Sequence, residues 1–266
     1  MTFTPMAWGL IAYIVGFSVL GMAMGWMVQR SGKRYIVCGK SLTFFFIGTM
    51  LFAQALDSNS TMGGAALSYS GGFWAGFVLS AGLGLCLILT ALFFAKPLNQ
   101  MNLLTLPDFY MRRYGYAVEI IVSLLMAFSF IILVAGNFAG AGWIVSVVLK
   151  MDYTWAMILI SLVVAAYTIS GGLYSCAATD IVQEYPSAIG LIGACIWLIA
   201  TYGWDHFSVN IPPDFLDTSG LTKMGNGALV NWAAILALGL GDIVALDFME
   251  RVFSAKTPRT AQLGCY

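Results

Sequence analysis

The residues of this chain best suited to chemistry fall in one stretch, Phe52-Ala-Gln-Ala-Leu-Asp-Ser-Asn-Ser-Thr-Met-Gly-Gly64. Gln54, Asp57, Ser58, Asn59, Ser60 and Thr61 supply a carboxylate, amides and hydroxyls within eight positions, and a glycine pair follows. Hard oxygen donors of this kind suit a small cation. The stretch lies inside an apolar segment, Leu42 to Tyr69, which exceeds the ~20 residues needed to cross a bilayer. A charged side chain at the bilayer centre costs about 2.5–3.5 kcal/mol on insertion scales, so Asp57 needs a reason to be there. Polar side chains also compete for backbone hydrogen bonds, and irregular backbone at membrane depth survives only against protein or a wet cavity. The expectation is a broken helix whose carbonyls and hydroxyls hold an ion. The alternative is a loop outside the membrane between two separate elements. Among seven apolar segments no Lys or Arg stands ready to pair with Asp57, which leaves sodium, a proton or cavity water as its partner.

The elements that would position this stretch are membrane helices. Hydrophobic residues make up 60% of the chain and charged residues 9%, against ~25% charged in a soluble domain; mean hydropathy is +0.87. The composition is that of an all-α integral membrane protein. The net charge of zero suggests no nucleic-acid partner. One histidine, His206, in a hydrophilic loop, argues against histidine metal sites and catalysis, and no catalytic constellation of a membrane enzyme is present. The five cysteines are scattered without a CxxC pair; four lie in or beside apolar segments and Cys38 in a basic loop. The N-terminus has no basic signal-peptide region, so its first apolar run is expected to stay as a span.

The segments are expected at Trp8 to Val28, Leu42 to Tyr69, Phe73 to Ala95, Val118 to Leu149, Tyr153 to Ser170, Ala177 to Tyr202 and Leu229 to Phe248. Ten of the 12 basic residues fall on one side, in the loops after the first and third segments and in the tail with Arg251, Lys256 and Arg259. The positive-inside rule makes that side cytoplasmic, with the N-terminus and the 203–227 loop outside the cell membrane. In the loop after the third segment, Pro107 and Asp108 suit the start of a short interfacial helix and Arg112 and Arg113 its end. Gly21-Met-Ala-Met-Gly25 and Gly136-Asn-Phe-Ala-Gly140 permit close helix packing. Ser170-Gly-Gly172 forms a turn between the fifth and sixth segments, after which Asp180, Gln183 and Glu184 share a helix face. Asp180 reads as a functional acid, while Glu184 also suits a headgroup position. Gly239, Gly241, Asp242 and Asp247 weaken the middle of the seventh segment and suggest a second break, although Asp247 and Glu250 also suit a cytoplasmic helix end.

Three of these stretches together carry a resemblance. Ser170-Gly-Gly-Leu…Thr179-Asp-Ile-Val-Gln183, Leu106-Pro-Asp-Phe…Arg113-Tyr-Gly115 and Arg251…Ala255-Lys256…Ala261 resemble, in order and spacing, motifs of the sodium:solute symporter family. The resemblance implies a five-plus-five inverted-repeat fold within one transmembrane domain, 1–266. Residues 1–30 would be an extra helix, 41–202 the first five-helix repeat and 229–250 the first helix of the second. The remainder of that repeat does not follow, so a fragment is expected. The implied activity is symport of a small organic solute with sodium, without any further cofactor, in contact with membrane lipid. The implied ion contacts are the carbonyls of Ala53 and Leu56 with Asp57 and Ser58, and Asp180 near the inner exit. Asn59 and Ser60, with Gln54 beside them, fall where the solute is contacted. The chain departs from the family pattern at Asp57 and Glu250, which leaves sodium-versus-proton coupling open. A sensory membrane domain of the same fold, fused to a signalling region, is the alternative.

Overall fold

The structure, a computed structural model, describes residues 4–266, apart from the side chains at 208 and 210. Its regular structure is helical, with one isolated strand-like bridge joining Leu42 to Ala255. The first segment is α1 (Pro5–Ala23), continued after a turn at Met24 by α2 (Gly25–Val28). Thr4 caps α1 by accepting from the Ala7 N–H, and Pro5 occupies a first-turn position where no N–H is needed. A short α3 (Gly32–Val37) precedes α4 (Phe44–Ala55). The chain leaves helical geometry at Leu56 (φ −108°, ψ 21°), resumes through a π turn at Asn59–Gly63, and continues as α5 (Gly64–Gly71). The polar run and glycine pair therefore mark a broken helix rather than an external loop.

Next come α6 (Phe73–Leu89), a π turn and α7 (Ala95–Gln100), which carry the third segment five residues beyond the expected end at Ala95. The interfacial helix is α8 (Leu106–Tyr114), and Asp108 Oδ2 accepts from the N–H groups of Leu104 and Thr105, both at 2.9 Å. The long α9 (Tyr116–Leu149) follows. The expected fifth and sixth segments form one hydrogen-bonded run, α10 (Tyr153–Tyr202), interrupted at Gly172 (φ 54°, ψ −140°). A left-handed φ with that ψ suits glycine alone. The two arms converge there, because a Cβ on Gly21 would lie 2.8 Å from Tyr167 Cβ and 2.7 Å from Ser175 Oγ. In a straight helix residues eight apart stand ~12 Å from each other. The expected turn is thus a single sharp bend packed against α1.

The 203–227 connection holds α11 (Trp204–Asn210) and three short 3₁₀ turns. Then α12 (Ala228–Gly241) ends in a 3₁₀ turn at Asp242–Val244 and an extended Ala245, and α13 (Leu246–Ser254) departs at 50°. The second break is real, and Asp247 lies just beyond it rather than at a cytoplasmic helix end. The last helix is α14 (Pro258–Gly264).

Four helical runs are long and apolar enough to cross a membrane, and the bent α12–α13 pair makes a fifth. The two arms of α10 and the broken α4–α5 occupy the positions of the remaining expected segments. Large apolar residues such as Leu124, Phe128, Ile131 and Ile132 lie exposed along α9, as lipid requires. With these spans the chain is a multi-pass membrane protein. Its buried core gathers at one end, where Val37, Ile47, Met50, Leu103, Met249 and Phe253 join α3, α4 and α13.

Candidate functional site

A cavity of about 620 Å³ lies between the two helix breaks. The first break contributes Gln54, Asp57, Asn59 and Ser60; the second contributes Gly241, Asp242 and Val244 to Phe248. Walls come from Leu79 and Leu83 of α6, Tyr110 of α8, and Val122, Leu125, Met126, Ser129, Phe130 and Leu133 of α9. The α9 residues recur at three- and four-residue steps, so one face of that helix lines the space. Most of the lining is apolar, with a few polar groups at the breaks, the composition expected of a small-molecule site.

The first break is held by a residue of α9 that sequence reading valued only for its neighbours. Asn137 Nδ2 donates to Asp57 Oδ2 at 2.8 Å, while its Oδ1 accepts from the Asn59 N–H at 3.1 Å. Ser58 Oγ donates to the Asn137 carbonyl at 3.0 Å, and Asn59 Nδ2 to that of Leu133 at 3.1 Å. Asp57 Oδ1 accepts from the Ser60 N–H at 2.7 Å, and its carbonyl from Thr61 Oγ1 at 2.7 Å. The flanking glycines make this approach possible. A Cβ on Gly136 would stand 2.5 Å from Asn59 Oδ1, and one on Gly140 2.8 Å from Ser58 Cβ. Close packing at both GxxxG stretches is thus realised, and at α9 it also delivers an amide to the break.

These contacts correct one expectation. Asp57 does not depend on an ion or a proton for a partner, because neutral donors satisfy both its oxygens. The argument by elimination had counted cations and overlooked amides. It also missed Arg251, assigned to the cytoplasmic tail. The structure leaves this residue 7% exposed and reaching back to the first broken helix. Its Nε donates to the Met50 carbonyl at 3.2 Å and its Nη1 to the Asp247 carbonyl. With the Gln54 amide oriented to satisfy both neighbours, its nitrogen donates to Asp247 Oδ2 at 2.6 Å and its oxygen accepts from Arg251. Gln54, Asp247 and Arg251 thereby tie one break to the other.

The remaining expected residues are distributed as follows. The Ala53 carbonyl accepts from the Leu56 N–H at 3.3 Å, at the C-terminal end of α4. Ser58 turns its hydroxyl to α9 and does not line the cavity. Asp180 stands apart from the cavity, with Tyr167 and Cys176 as neighbours and Arg251 as the cation that acts on it. One oxygen each of Asp180 and Glu184 is buried without a hydrogen-bond partner. The signal that could have found Asn137 was a lone amide inside a small-residue stripe of an apolar helix. Outside the spans, burial pushes the Cys38 thiol up to about 12 and pulls Lys40 below its usual range, so Cys38 is an inert core thiol.

Comparison with known proteins agrees with this architecture. A profile of the sodium:solute symporter family matches residues 35–265. The chain is 27% identical to the human high affinity choline transporter 1 over 276 residues, covering 96% of this chain and 46% of the relative. It is 28% identical to the Drosophila melanogaster high-affinity choline transporter 1 over 268 residues, 96% of this chain and 42% of that one. With the mouse sodium/glucose cotransporter 1 it shares 30% identity over 200 residues, 70% of this chain and 28% of the relative. The chain spans less than half the length of these relatives, which are transporters and not enzymes.

Proposed function

Because the chain belongs to the sodium:solute symporter family, we propose that it handles solute and ion in a secondary active transporter that moves a small organic molecule across the cell membrane with sodium. The observation that carries this reading is the cavity enclosed by both helix breaks. The C-terminal ends of α4 and α12 both fall at the cavity, and a helix C-terminus carries partial negative charge that favours a cation. In this reading sodium sits at the first break, against the carbonyls of Ala53 and Leu56, with Asp57 and Ser60 supplying further oxygens. Asn137 and the Ser60 N–H each take one lone pair of the Asp57 carboxylate, one on each oxygen, so further lone pairs remain for the ion. Ser58 holds the break against α9. Asn59, Ser60 and Gln54 face the solute. Asp180, which lies outside the cavity, serves the inner route of the ion. Residues 41–202 then form the first five-helix repeat and 229–250 open its inverted counterpart, with 1–30 outside the repeat.

The test is sodium-driven uptake by the intact protein. Asp57→Ala abolishes accumulation while the protein remains in the membrane, and Asp57→Ser retains part of it. Asp180→Asn raises the sodium concentration needed for half-maximal uptake. Wild-type sodium and pH dependence in Asp57→Ala would remove the ion from the first break. For orientation, a cysteine placed at Met224 reacts with an impermeant reagent in intact cells and one at Ser31 does not; the reverse pattern inverts the topology.

A further inference from the structure

Leu83, Tyr110, Met126, Leu246 and Phe248 line the cavity and also belong to, or pack against, the buried core at one end of the molecule. These five therefore form the partition between cavity and core. They come from two groups of helices that are held in different ways. In the first group the start of α4 is clasped to the end of α13. The Leu42 N–H donates to the Ser254 carbonyl at 3.2 Å, and the Lys256 N–H to the Leu42 carbonyl at 3.0 Å. Arg251 Nε reaches the Met50 carbonyl of α4. Asn99 of α7, 5% exposed, donates through Nδ2 to the carbonyls of Val252 and Ala255 at 2.9 and 3.0 Å, which draws α6 and α7 into the same clasp. The second group is α8 and α9, with Tyr110 and Met126. Among the described residues no hydrogen bond joins α8 to α4, α6, α13 or α14. Its tie outward is from the exposed Arg112, whose Nη1 donates to the Met101 carbonyl after α7 at 2.8 Å. At its other end Gly115 (φ 88°, ψ 176°) joins α8 to α9, and a Cβ there would meet nothing within 4 Å. That conformation is glycine's, so α8 ends on an uncrowded pivot.

The contrast decides which seam can part. Opening the clasp strands buried amides and carbonyls, each at its full desolvation cost. Opening the partition beside α8 separates apolar side chains, whose contact has no direction to restore. We propose that the cavity opens on the α8 face, between Tyr110 with Met126 and Leu246 with Phe248, with the Tyr110 ring as the gate and the α4–α13 clasp staying shut. The inference rests on the symport reading above and adds the route by which solute passes that face. Tyr110 acts by filling the seam with its ring, so its hydroxyl is dispensable.

The experiment uses the intact protein in proteoliposomes, with the exposed Cys195 replaced by Ser and a reporter cysteine placed at Met126. An impermeant thiol reagent is applied to the face that carries position 31. The open form of such an equilibrium is ~0.1–10% populated, so Tyr110→Ala raises the labelling rate of the reporter at least about tenfold. Tyr110→Phe keeps the wild-type rate. The native Cys38, buried in the core, stays unlabelled in both variants. Paired positions of the clasp stand at strand spacing, ~4.8 Å, within disulfide reach. Oxidising a Leu42→Cys, Ala255→Cys pair leaves reporter labelling, and sodium-driven uptake of whichever of choline, glucose and proline the wild type concentrates, at their unoxidised levels. An unchanged reporter rate in Tyr110→Ala overturns the proposal. Labelling of Cys38 along with the reporter overturns it too, since the core and not the gate would have opened. So does loss of labelling or uptake on oxidising the clasp, which would then have to part. If sodium drives uptake while labelling ignores Tyr110, this inference fails and the symport reading stands. If labelling responds as expected while sodium drives uptake of none of the three, the symport reading fails and the gate to the cavity remains.

Discussion

The two broken helices border the same cavity, but they are kept open by different means. At the first, an amide from α9 and local backbone donors occupy the polar groups, and the chain recovers helix through a π turn. At the second, the helix ends in a 3₁₀ turn and an extended residue and bends by 50°, and among the described residues no protein group donates to the Asp242 side chain. The first break is therefore a fixed polar surface made elsewhere in the chain. A break alone does not say what a transporter recognises; what matters is which of its polar groups the protein has already satisfied.

The comparison breaks most completely at Arg251, which serves both sides. Arg251→Ala strands the Met50 and Asp247 carbonyls and leaves Asp247 without its cation. A cost of about 3–5 kcal/mol is expected from removing one member of a buried charged network. Thermal unfolding in detergent should show little folded protein. Arg251→Lys keeps the charge but loses the fork, and should recover only part of the stability.

Asn137→Ala tests the first break alone. It removes the donor to Asp57 and the acceptor for Asn59, for a cost of about 1–3 kcal/mol. Sodium-driven uptake should fall at least about tenfold. Gly140→Ala is gentler still. Its Cβ would meet Ser58 Cβ at 2.8 Å, so overpacking should cost about 1 kcal/mol or somewhat more. The readout is a lowered Tm with sodium affinity weakened in step.

The smallest effect lies outside the membrane. Hydrogen bonds from Ser219, backbone first, and from Asn226 hold the exposed Asp217 carboxyl below its usual range. A depressed carboxyl supports the folded loop at pH values above its ordinary pKa, and that support is lost as pH falls through the depressed value. Proteolysis within 213–227 should quicken in wild type only under acid, whereas Asp217→Asn should respond little to pH. The membrane breaks should be indifferent to this change.

Much of the architecture was legible because it rests on local rules. Polar residues beside Gly63 and Gly64 announced the first break, Gly239 to Asp242 the second, and Pro107 with Asp108 the start of α8. What was not legible depends on long-range meetings. Asn137 meets Asp57 across 80 positions, and nothing within α9 says which carboxylate it faces. Arg251 looked like one more cytoplasmic cation because the seventh segment was ended at Phe248. The extra turns of α13 carry it under Met50, 201 positions away. The difference between Asp57 and Asp242 was hidden for the same reason, since the acids are alike in sequence and differ only in their donors.

Those separations also set an order in time. At a synthesis rate of about 5–20 residues per second, Asn137 emerges ~4–16 s after Asp57, while Arg251 trails Met50 by ~10–40 s. The nascent chain must hold its first polar break at the membrane well before the guanidinium that will tie it to the second has been made. Asn137 is the earlier arrival and quiets Asp57 in that interval. Its replacement should therefore lower the yield of inserted protein in cells by more than its effect on the stability of the finished molecule accounts for.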